Sequence, residues 1–218
     1  MSLKQWILDT LFPPKCVFCG ALAKDCFCEK CRAVLPFTGE HALTTGENGL
    51  QVASVLFYKD AVRDSILRYK FSDRFMYAEV YGRLLADCAA EHFSGGFDLV
   101  SYIPVSRKRR RERGYDQAAL LAESMANDWD TEPVLTLEKV VDTPRQSSFR
   151  DVYQRRANVL GVYEAVDPAR FRDCRILLVD DVYTTGSTMN EAASTLRLAG
   201  AKEVLGITLA RTQTERKR

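Results

Sequence analysis

The stretch ILLVDDVYTTGST, residues 176–188, limits the possible folds more than any other part of the sequence. Its four leading apolar residues are typical of a strand in a parallel sheet that is covered on both faces. Asp180 and Asp181 follow at the carboxyl end of this strand, and a turn containing Gly186 then opens a helix. Ligands of such sheets bind at the carboxyl ends of the strands, so this stretch predicts both a fold class and a site.

The rest of the chain alternates between strand and helix patterns, which predicts an α/β fold with a parallel, doubly wound sheet. Strands are predicted at residues 51–58, 98–105, 133–141, 175–181 and 202–211, and helices at 61–71, 74–92, 116–129 and 188–199. Residues 38–50 are rich in Gly and Thr and are predicted to form a linker or exposed loop. We therefore expect an N-terminal unit over residues 1–45 and an α/β domain over residues 50–218.

The turn after the two aspartates has the composition of a phosphate site. Gly186 allows close approach of the backbone, and the amides at the start of the helix can donate hydrogen bonds to an anion. Four hydroxyl groups add further donors: Thr184, Thr185, Ser187 and Thr188. Carboxylates do not bind phosphate directly but accept hydrogen bonds from neutral hydroxyls, so the combination indicates a phosphorylated sugar. The alternative is a solvent-facing turn, which explains a helix cap but not all these groups together.

These thirteen residues resemble the signature that type I phosphoribosyltransferases use for 5-phosphoribosyl-1-pyrophosphate (PRPP). The resemblance implies that the turn and the aspartates hold ribose 5-phosphate, with Asp180 and Asp181 as the catalytic pair. Attack at the anomeric carbon as pyrophosphate leaves has oxocarbenium-like charge. The protein would mainly position the reactants and exclude water, with Mg2+ neutralising the leaving group.

The same resemblance implies a pyrophosphate site at the turn after the preceding strand. This turn contains Val105, Ser106 and Arg107, and six basic residues lie between Arg107 and Arg113. Backbone amides, cations and Mg2+ are the groups that stabilise a leaving pyrophosphate, whereas the alternative for this run is a solvated basic face. The aperiodic residues 142–158 lie where such enzymes carry a mobile loop. Its polar side chains could close on the ligand: Arg145, Gln146, Arg150, Arg155 and Arg156.

Five of the seven cysteines lie within sixteen residues, which brings thiolates to one point instead of linking distant loops. Two C-x2-C pairs can supply four thiolates to a structural Zn2+. The predicted ligands are Cys16, Cys19, Cys28 and Cys31. Cys26 is an alternative ligand and His41 a weaker one, while redox chemistry is the alternative function. Residues 1–12, ahead of this segment, are predicted to form a short amphipathic helix.

Charge and composition exclude several classes of protein. Lys and Arg number 31 and Asp and Glu 29, giving a formal charge of +2, so the surface as a whole is not a basic nucleic-acid-binding surface. A hydrophobic content of 46% excludes a disordered chain. We expect a cytoplasmic protein, because the sequence contains neither a secretory signal nor an apolar run long enough to span a membrane.

The cysteine pairs ahead of a PRPP-type domain resemble the ComF family of competence-associated phosphoribosyltransferase-like proteins. Further matching segments are the Leu-Phe-Pro-Pro run at 11–14, Leu67, Lys70, IPVSRKRRRERGYDQA at 103–118, Gln146, Arg155, Arg156 and Asn158. Asp116 departs from the family, which usually has Asn there, and adds charge near the expected phosphate site. The resemblance implies a link to DNA uptake during natural transformation.

Three functions are compatible with these patterns. The first is transfer of phosphoribosyl from PRPP to an acceptor that no motif identifies. The second is handling of single-stranded DNA, with PRPP as a ligand or signal, through basic and aromatic groups. These groups are the basic run 107–113, the Arg-rich residues 145–156 with Phe149 and Tyr153, and the tail residues Arg211, Arg216, Lys217 and Arg218. The third is a catalytically silent regulator that senses PRPP.

Overall fold

The computed structural model describes residues 13–71, 76–141 and 161–213. The helix expected at residues 1–12 and the loop expected at 142–158 lie outside these ranges. The described strands are β1 (Leu43–Thr45), β2 (Gln51–Phe57), β3 (Leu99–Tyr102), β4 (Leu137–Lys139), β5 (Tyr163–Ala165), β6 (Arg175–Tyr183) and β7 (Glu203–Arg211). The described helices are α1 (Glu29–Val34), α2 (Asp60–Phe71), α3 (Tyr77–His92), α4 (Arg107–Arg113), α5 (Gln117–Ala126) and α6 (Ser187–Leu198).

Five strands form the main sheet, in the order β1-β2-β7-β6-β3. All pairings from β2 to β3 are parallel, and β1 joins β2 antiparallel at the edge. Successive residues of β6 face opposite sides of the sheet, as the strand geometry requires. Leu177 and Val179 join one buried cluster, and Ile176 and Leu178 join another. The sheet is therefore covered on both faces, which confirms the predicted doubly wound α/β class.

The Cys-rich segment packs against one of these faces. Its residues Cys16, Val17 and Phe18 are buried in the same apolar cluster as helices α2, α3 and α5. Phe18 lies 5.9 Å from the ring of Tyr81 on α3, measured between ring centroids. Because this segment shares a core with the sheet, the division into units at residues 1–45 and 50–218 stays a prediction.

Three local expectations were wrong. Residues 38–50 are not merely a linker, because Leu43–Thr45 pair with β2 while Ala42 and Leu50 are buried beside them. The basic run after β3 is not an open turn but the helix α4, since the Ser106 hydroxyl accepts a hydrogen bond from the Arg109 amide at its start. The strand expected at 133–141 is limited to β4, which pairs with β5 in a separate two-stranded sheet.

None of the helices within the described ranges has both the length and the apolar character needed to cross a bilayer.

Candidate functional site

A cleft of about 430 Å³ lies at the carboxyl ends of β2, β6 and β3. The folding of a parallel sheet brings these strand ends to one edge, although they are far apart in the sequence. Six of the ten residues predicted to bind PRPP line the cleft: Val105, Asp180, Asp181, Thr184, Gly186 and Thr188. The remaining four do not line it: Ser106, Arg107, Thr185 and Ser187.

Asp180 and Asp181 enter the cleft as β6 leaves the core. The Asp181 amide donates a hydrogen bond of 2.8 Å to Asp180 Oδ1, which holds the Asp180 side chain against the backbone of Asp181. Burial, followed by repulsion from Asp181, raises the pKa of Asp180 to about 8, while Lys70 and Lys139 act in the opposite direction. Asp180 therefore holds a proton much more readily than an ordinary aspartate does.

Lys70, at the end of α2, is a cleft residue that the sequence analysis did not assign to the site. Its Nζ lies 2.8 Å from Asp181 Oδ1 and 2.7 Å from Oδ2, so it contacts both carboxylate oxygens. The side chains of Lys70 and Asp181 are 21% and 14% exposed, which shields the pair from full solvent screening. The match of Lys70 to the ComF pattern was the one available signal for this residue.

The turn between β6 and α6, which is the predicted phosphate site, is held by a glycine in the left-handed region and by hydrogen bonds. Gly186 adopts a φ of 78°, which favours glycine, and a side chain there would collide with the ring of Tyr183. The Thr185 and Ser187 hydroxyl oxygens lie 3.0 Å apart, and the Thr212 hydroxyl donates to the Thr184 carbonyl oxygen. The turn is thus held from both sides, and the twelve-residue helix α6 begins directly beside the cleft.

The basic side chains of helix α4 point in two directions, some into the cleft and the others into solvent. Arg109 and Arg113 are four residues apart on one helix face, and both line the cleft. Arg107 does not, because its guanidinium forms an ion pair with Glu138 on β4, where its Nε donates at 2.8 Å. The sequence pattern alone does not distinguish these two faces of the helix, and it therefore indicated Arg107 and not Arg109.

Asp116 holds the predicted pyrophosphate turn through hydrogen bonds to backbone amides. Its Oδ2 accepts a hydrogen bond of 2.9 Å from the Val105 amide, and its Oδ1 accepts bonds from the Ala118 and Ala119 amides at the start of α5. Burial raises the pKa of Asp116, although these backbone hydrogen bonds oppose that effect. The amide of Val105, which lies in the predicted pyrophosphate turn, is therefore already bonded to a carboxylate of the chain.

Lys139 on β4 is a second cation in the cleft that sequence patterns did not indicate. Its Nζ lies 5.4 Å from the centre of the Tyr163 ring on β5, within the range of a cation–π interaction. Lys139 and Arg109 both line the cleft. Burial raises the pKa of Asp180, and Lys139 opposes this rise. Burial likewise raises the pKa of Tyr163, and Arg109 opposes that rise. Positive charge thus lies close to the aspartate pair.

The four predicted metal ligands come together in space. The Sγ atoms of Cys16, Cys19, Cys28 and Cys31 all lie within 4.8 Å of one another. This spacing and four thiol ligands fit a tetrahedral structural metal such as Zn2+. Neither Cys26 nor His41 belongs to this group within the part of the chain that the structure describes.

Backbone amides donate hydrogen bonds that stabilise a thiolate in this cluster. Burial alone would raise the pKa of Cys16, but hydrogen bonds from the Cys19, Cys28 and Phe18 amides lower it to about 7. Burial raises the pKa of Cys31 strongly, and its amide lies 3.4 Å from Cys28 Sγ. Because a bound cation stabilises thiolates, the metal would relieve the cost of gathering four cysteines in one partly buried place.

The chain is similar in sequence to known proteins. Residues 112–218 match the model of the phosphoribosyl transferase domain. The chain is 29% identical over 188 residues to competence protein F of Haemophilus influenzae, covering 82% of this chain and 81% of that protein. It is 29% identical over 163 residues to competence protein ComFC of Streptococcus pneumoniae, covering 75% and 69%. Over 170 residues it is 29% identical to the DNA utilization protein YhgH of Escherichia coli, covering 74% and 72%.

A solved structure of glutamine PRPP amidotransferase from B. subtilis is also similar, with 22% identity, a TM-score of 0.44 and coverage of 65% of this chain and 30% of that chain. With so low a TM-score, this likeness adds no further conclusion.

The sheet topology and the domain match make the chain a phosphoribosyltransferase-type protein. Together with the cysteine cluster ahead of that domain, the relatives named above support a ComF-family protein of this type.

Proposed function

We propose that the protein binds PRPP in the cleft and transfers its phosphoribosyl group to an acceptor, as part of DNA uptake. The observation that carries this proposal is the grouping of the aspartate pair, the turn around Gly186 and the cations Arg109 and Lys139 around one cleft. A carboxylate pair suits ribose hydroxyls, a helix start suits the 5-phosphate, and the cations suit the pyrophosphate. The names of the relatives, which refer to competence and DNA utilization, support the link to DNA uptake.

In this proposal the groups divide the work of the transfer. Thr184 and Thr188, with the start of α6, bind the 5-phosphate, while Asp180 and Asp181 bind the ribose hydroxyls and orient the anomeric carbon. The oxygen atoms of the pyrophosphate fit Mg2+, which when bound with the ligand would neutralise charge on the leaving pyrophosphate. Val105 would contribute through groups other than its bonded amide.

The direct test is release of pyrophosphate from PRPP and Mg2+ across a panel of bases and amines, with and without single-stranded DNA. We expect turnover with at least one acceptor, and no turnover for the variant in which Asp180 and Asp181 are both Asn. Tight PRPP binding with no release for any acceptor would contradict the transferase and support a regulator that senses PRPP.

A second candidate function is binding of single-stranded DNA, and the outer side of α4 favours it. Four basic side chains on that helix are exposed and do not line the cleft: Arg107, Lys108, Arg110 and Arg111. Apart from the Arg107 ion pair with Glu138, these groups form a cationic surface next to the cleft, to which a phosphate backbone can bind while the cleft holds its own ligand. The other predicted DNA-binding segments, residues 145–156 and 216–218, lie outside the described residues.

Replacing Lys108 and Arg111 together with Ala tests the DNA surface. Each lost phosphate contact should reduce the slope of log affinity against log salt by about 0.7 for single strands. We therefore expect a slope smaller by about 1.4 and an unchanged affinity for PRPP, measured by fluorescence anisotropy and calorimetry respectively. Replacing Lys24 and Lys30 with Ala is the matched control, because it removes the same charge from the exposed surface of the Cys-rich segment. Equal losses in both variants would indicate only an effect of net charge.

A further inference from the structure

Lys70 forms an ion pair with one of the two adjacent carboxylates at the end of β6. Two adjacent aspartates at a strand end are a common ligand set for divalent cations. Here, however, the Lys70 ammonium contacts both oxygens of Asp181 at 2.7 and 2.8 Å. A divalent cation at Asp181 would have to displace this ammonium or lie beside it, and both cost free energy through repulsion or loss of the ion pair.

The ammonium also makes the site suitable for a neutral hydroxyl pair. The aspartate oxygens and the Lys70 ammonium place hydrogen-bond acceptors beside a donor, which makes a pair of complementary groups. Two neighbouring hydroxyl groups, each both donor and acceptor, match such a pair without bringing charge of their own. The nearby positive charge further favours a ligand that carries phosphate.

The position of Lys70 is fixed by contacts of its own helix. Tyr69, the preceding residue, is fully buried, and its hydroxyl donates a bond of 2.9 Å to the Gln117 carbonyl oxygen on α5. The Tyr115 hydroxyl donates to the carbonyl oxygen of Tyr69. Because both the side chain and the backbone of Tyr69 are held, the backbone of the adjacent Lys70 is fixed beside the aspartate.

The Cys-rich segment holds the other side of the same helix. The Arg68 guanidinium donates to the Val17 and Phe18 carbonyl oxygens at 3.0 and 2.8 Å, and the Ser65 hydroxyl donates to the same Val17 oxygen. Both carbonyls lie in the turn between Cys16 and Cys19. Residues two apart on a helix point about 200° away from each other, so α2 connects the cysteine turn on one side to Asp181 on the other.

From these contacts we propose that Lys70 determines the specificity of the aspartate site, favouring ligand hydroxyls over a bare divalent cation, and that the Cys-rich segment keeps it in place through Arg68. The proposal rests on the proposed function for the identity of the ligand. Lys70 acts through Asp181 and is therefore a positioning residue.

The first test measures Mn2+ binding to the zinc-loaded protein without any other ligand, by calorimetry. We expect Lys70→Met to bind Mn2+ at least about tenfold more tightly than the wild type, because an opposing charge has been removed from a shielded carboxylate. Adding Asp181→Asn should abolish the gain, Lys70→Arg should behave like the wild type, and the exposed Lys59→Met is the matched control. No gain for a folded Lys70→Met protein would overturn the proposal.

The second test measures the affinity for ribose 5-phosphate in the absence of divalent metal. We expect Lys70→Met to weaken binding at least about tenfold and Arg68→Ala to weaken it less, with one zinc per chain retained. In the Lys70→Met background Arg68→Ala should have no further effect, since it acts through Lys70. Additive losses would overturn the role of the Cys-rich segment. If the wild type binds neither ribose 5-phosphate nor PRPP, the proposed function is wrong. The Mn2+ measurement still tests whether Lys70 opposes a divalent cation at Asp181.

Discussion

Changing both Asp180 and Asp181 to Asn is expected to abolish the stabilisation of the protein by PRPP and Mg2+. A ligand at 100 times its dissociation constant stabilises the folded state by about 2.7 kcal/mol, which raises the melting temperature of a chain of this size by about 5–10 °C. Each lost hydrogen bond to a charged group costs about 1.5–3 kcal/mol. Losing one such bond at the ion-paired Asp181 and a bond of about 0.5–1.5 kcal/mol at Asp180 should therefore weaken binding by at least about 30-fold, measured by thermal shift and calorimetry.

The single variants separate loss of ligand binding from loss of folding. Burial raises the pKa of Asp180 to about 8, so the carboxylate is unfavourable there and a neutral amide of the same size is not. We expect the unliganded Asp180→Asn protein to melt at or above the wild-type temperature while its response to PRPP falls. Asp64→Asn is the matched control, because Asp64 is an exposed carboxylate outside the cleft. An unchanged response of the double variant, or no response of the wild type, would refute PRPP binding at this site.

Removal of the metal predicted at the cysteine cluster is expected to have the second large effect. Structural zinc contributes about 10–16 kcal/mol to the folding of small zinc-binding modules, and here the module shares its apolar cluster with the sheet. Without the ion, four thiol groups within 4.8 Å lose their common partner, and Phe18 and Phe27 lose the fold that buries them. Chelation should lower the melting temperature by more than about 10 °C and release about one Zn2+ per chain.

Two cysteine variants make this expectation specific. Cys28→Ser removes a member of the cluster and should lose the metal together with the stability. Cys26→Ser is the matched control, since Cys26 lies in the same segment but outside the cluster, and it should retain the metal. Metal analysis and thermal denaturation of both proteins give the answer. Loss of zinc from the Cys26→Ser protein, or its retention by the Cys28→Ser protein, would contradict the ligand set assigned here.

Local patterns determined the fold class and part of the site. Four apolar residues before Asp180 require a strand covered on both faces, and the turn around Gly186 requires a helix start beside that strand. The spacing of two C-x2-C pairs likewise predicted which four cysteines lie together in the structure. These features depend on residues close in the sequence, whose geometry is set by backbone sterics and strand or helix periodicity. The limits of β4 and the presence of β1 were missed because pairing partners decide them.

Only the tertiary structure decided which other groups share the site with those residues. Lys70 and Asp181 are separated by 111 positions, and their ion pair exists because the sheet places α2 beside the end of β6. The helical form of residues 107–113 turned Arg109, and not Arg107, into the cleft. The sequence by itself therefore determined the acidic pair, the turn around Gly186 and the cysteine cluster. Folding determined their charged neighbours, because contacts between distant segments follow from packing and not from local pattern.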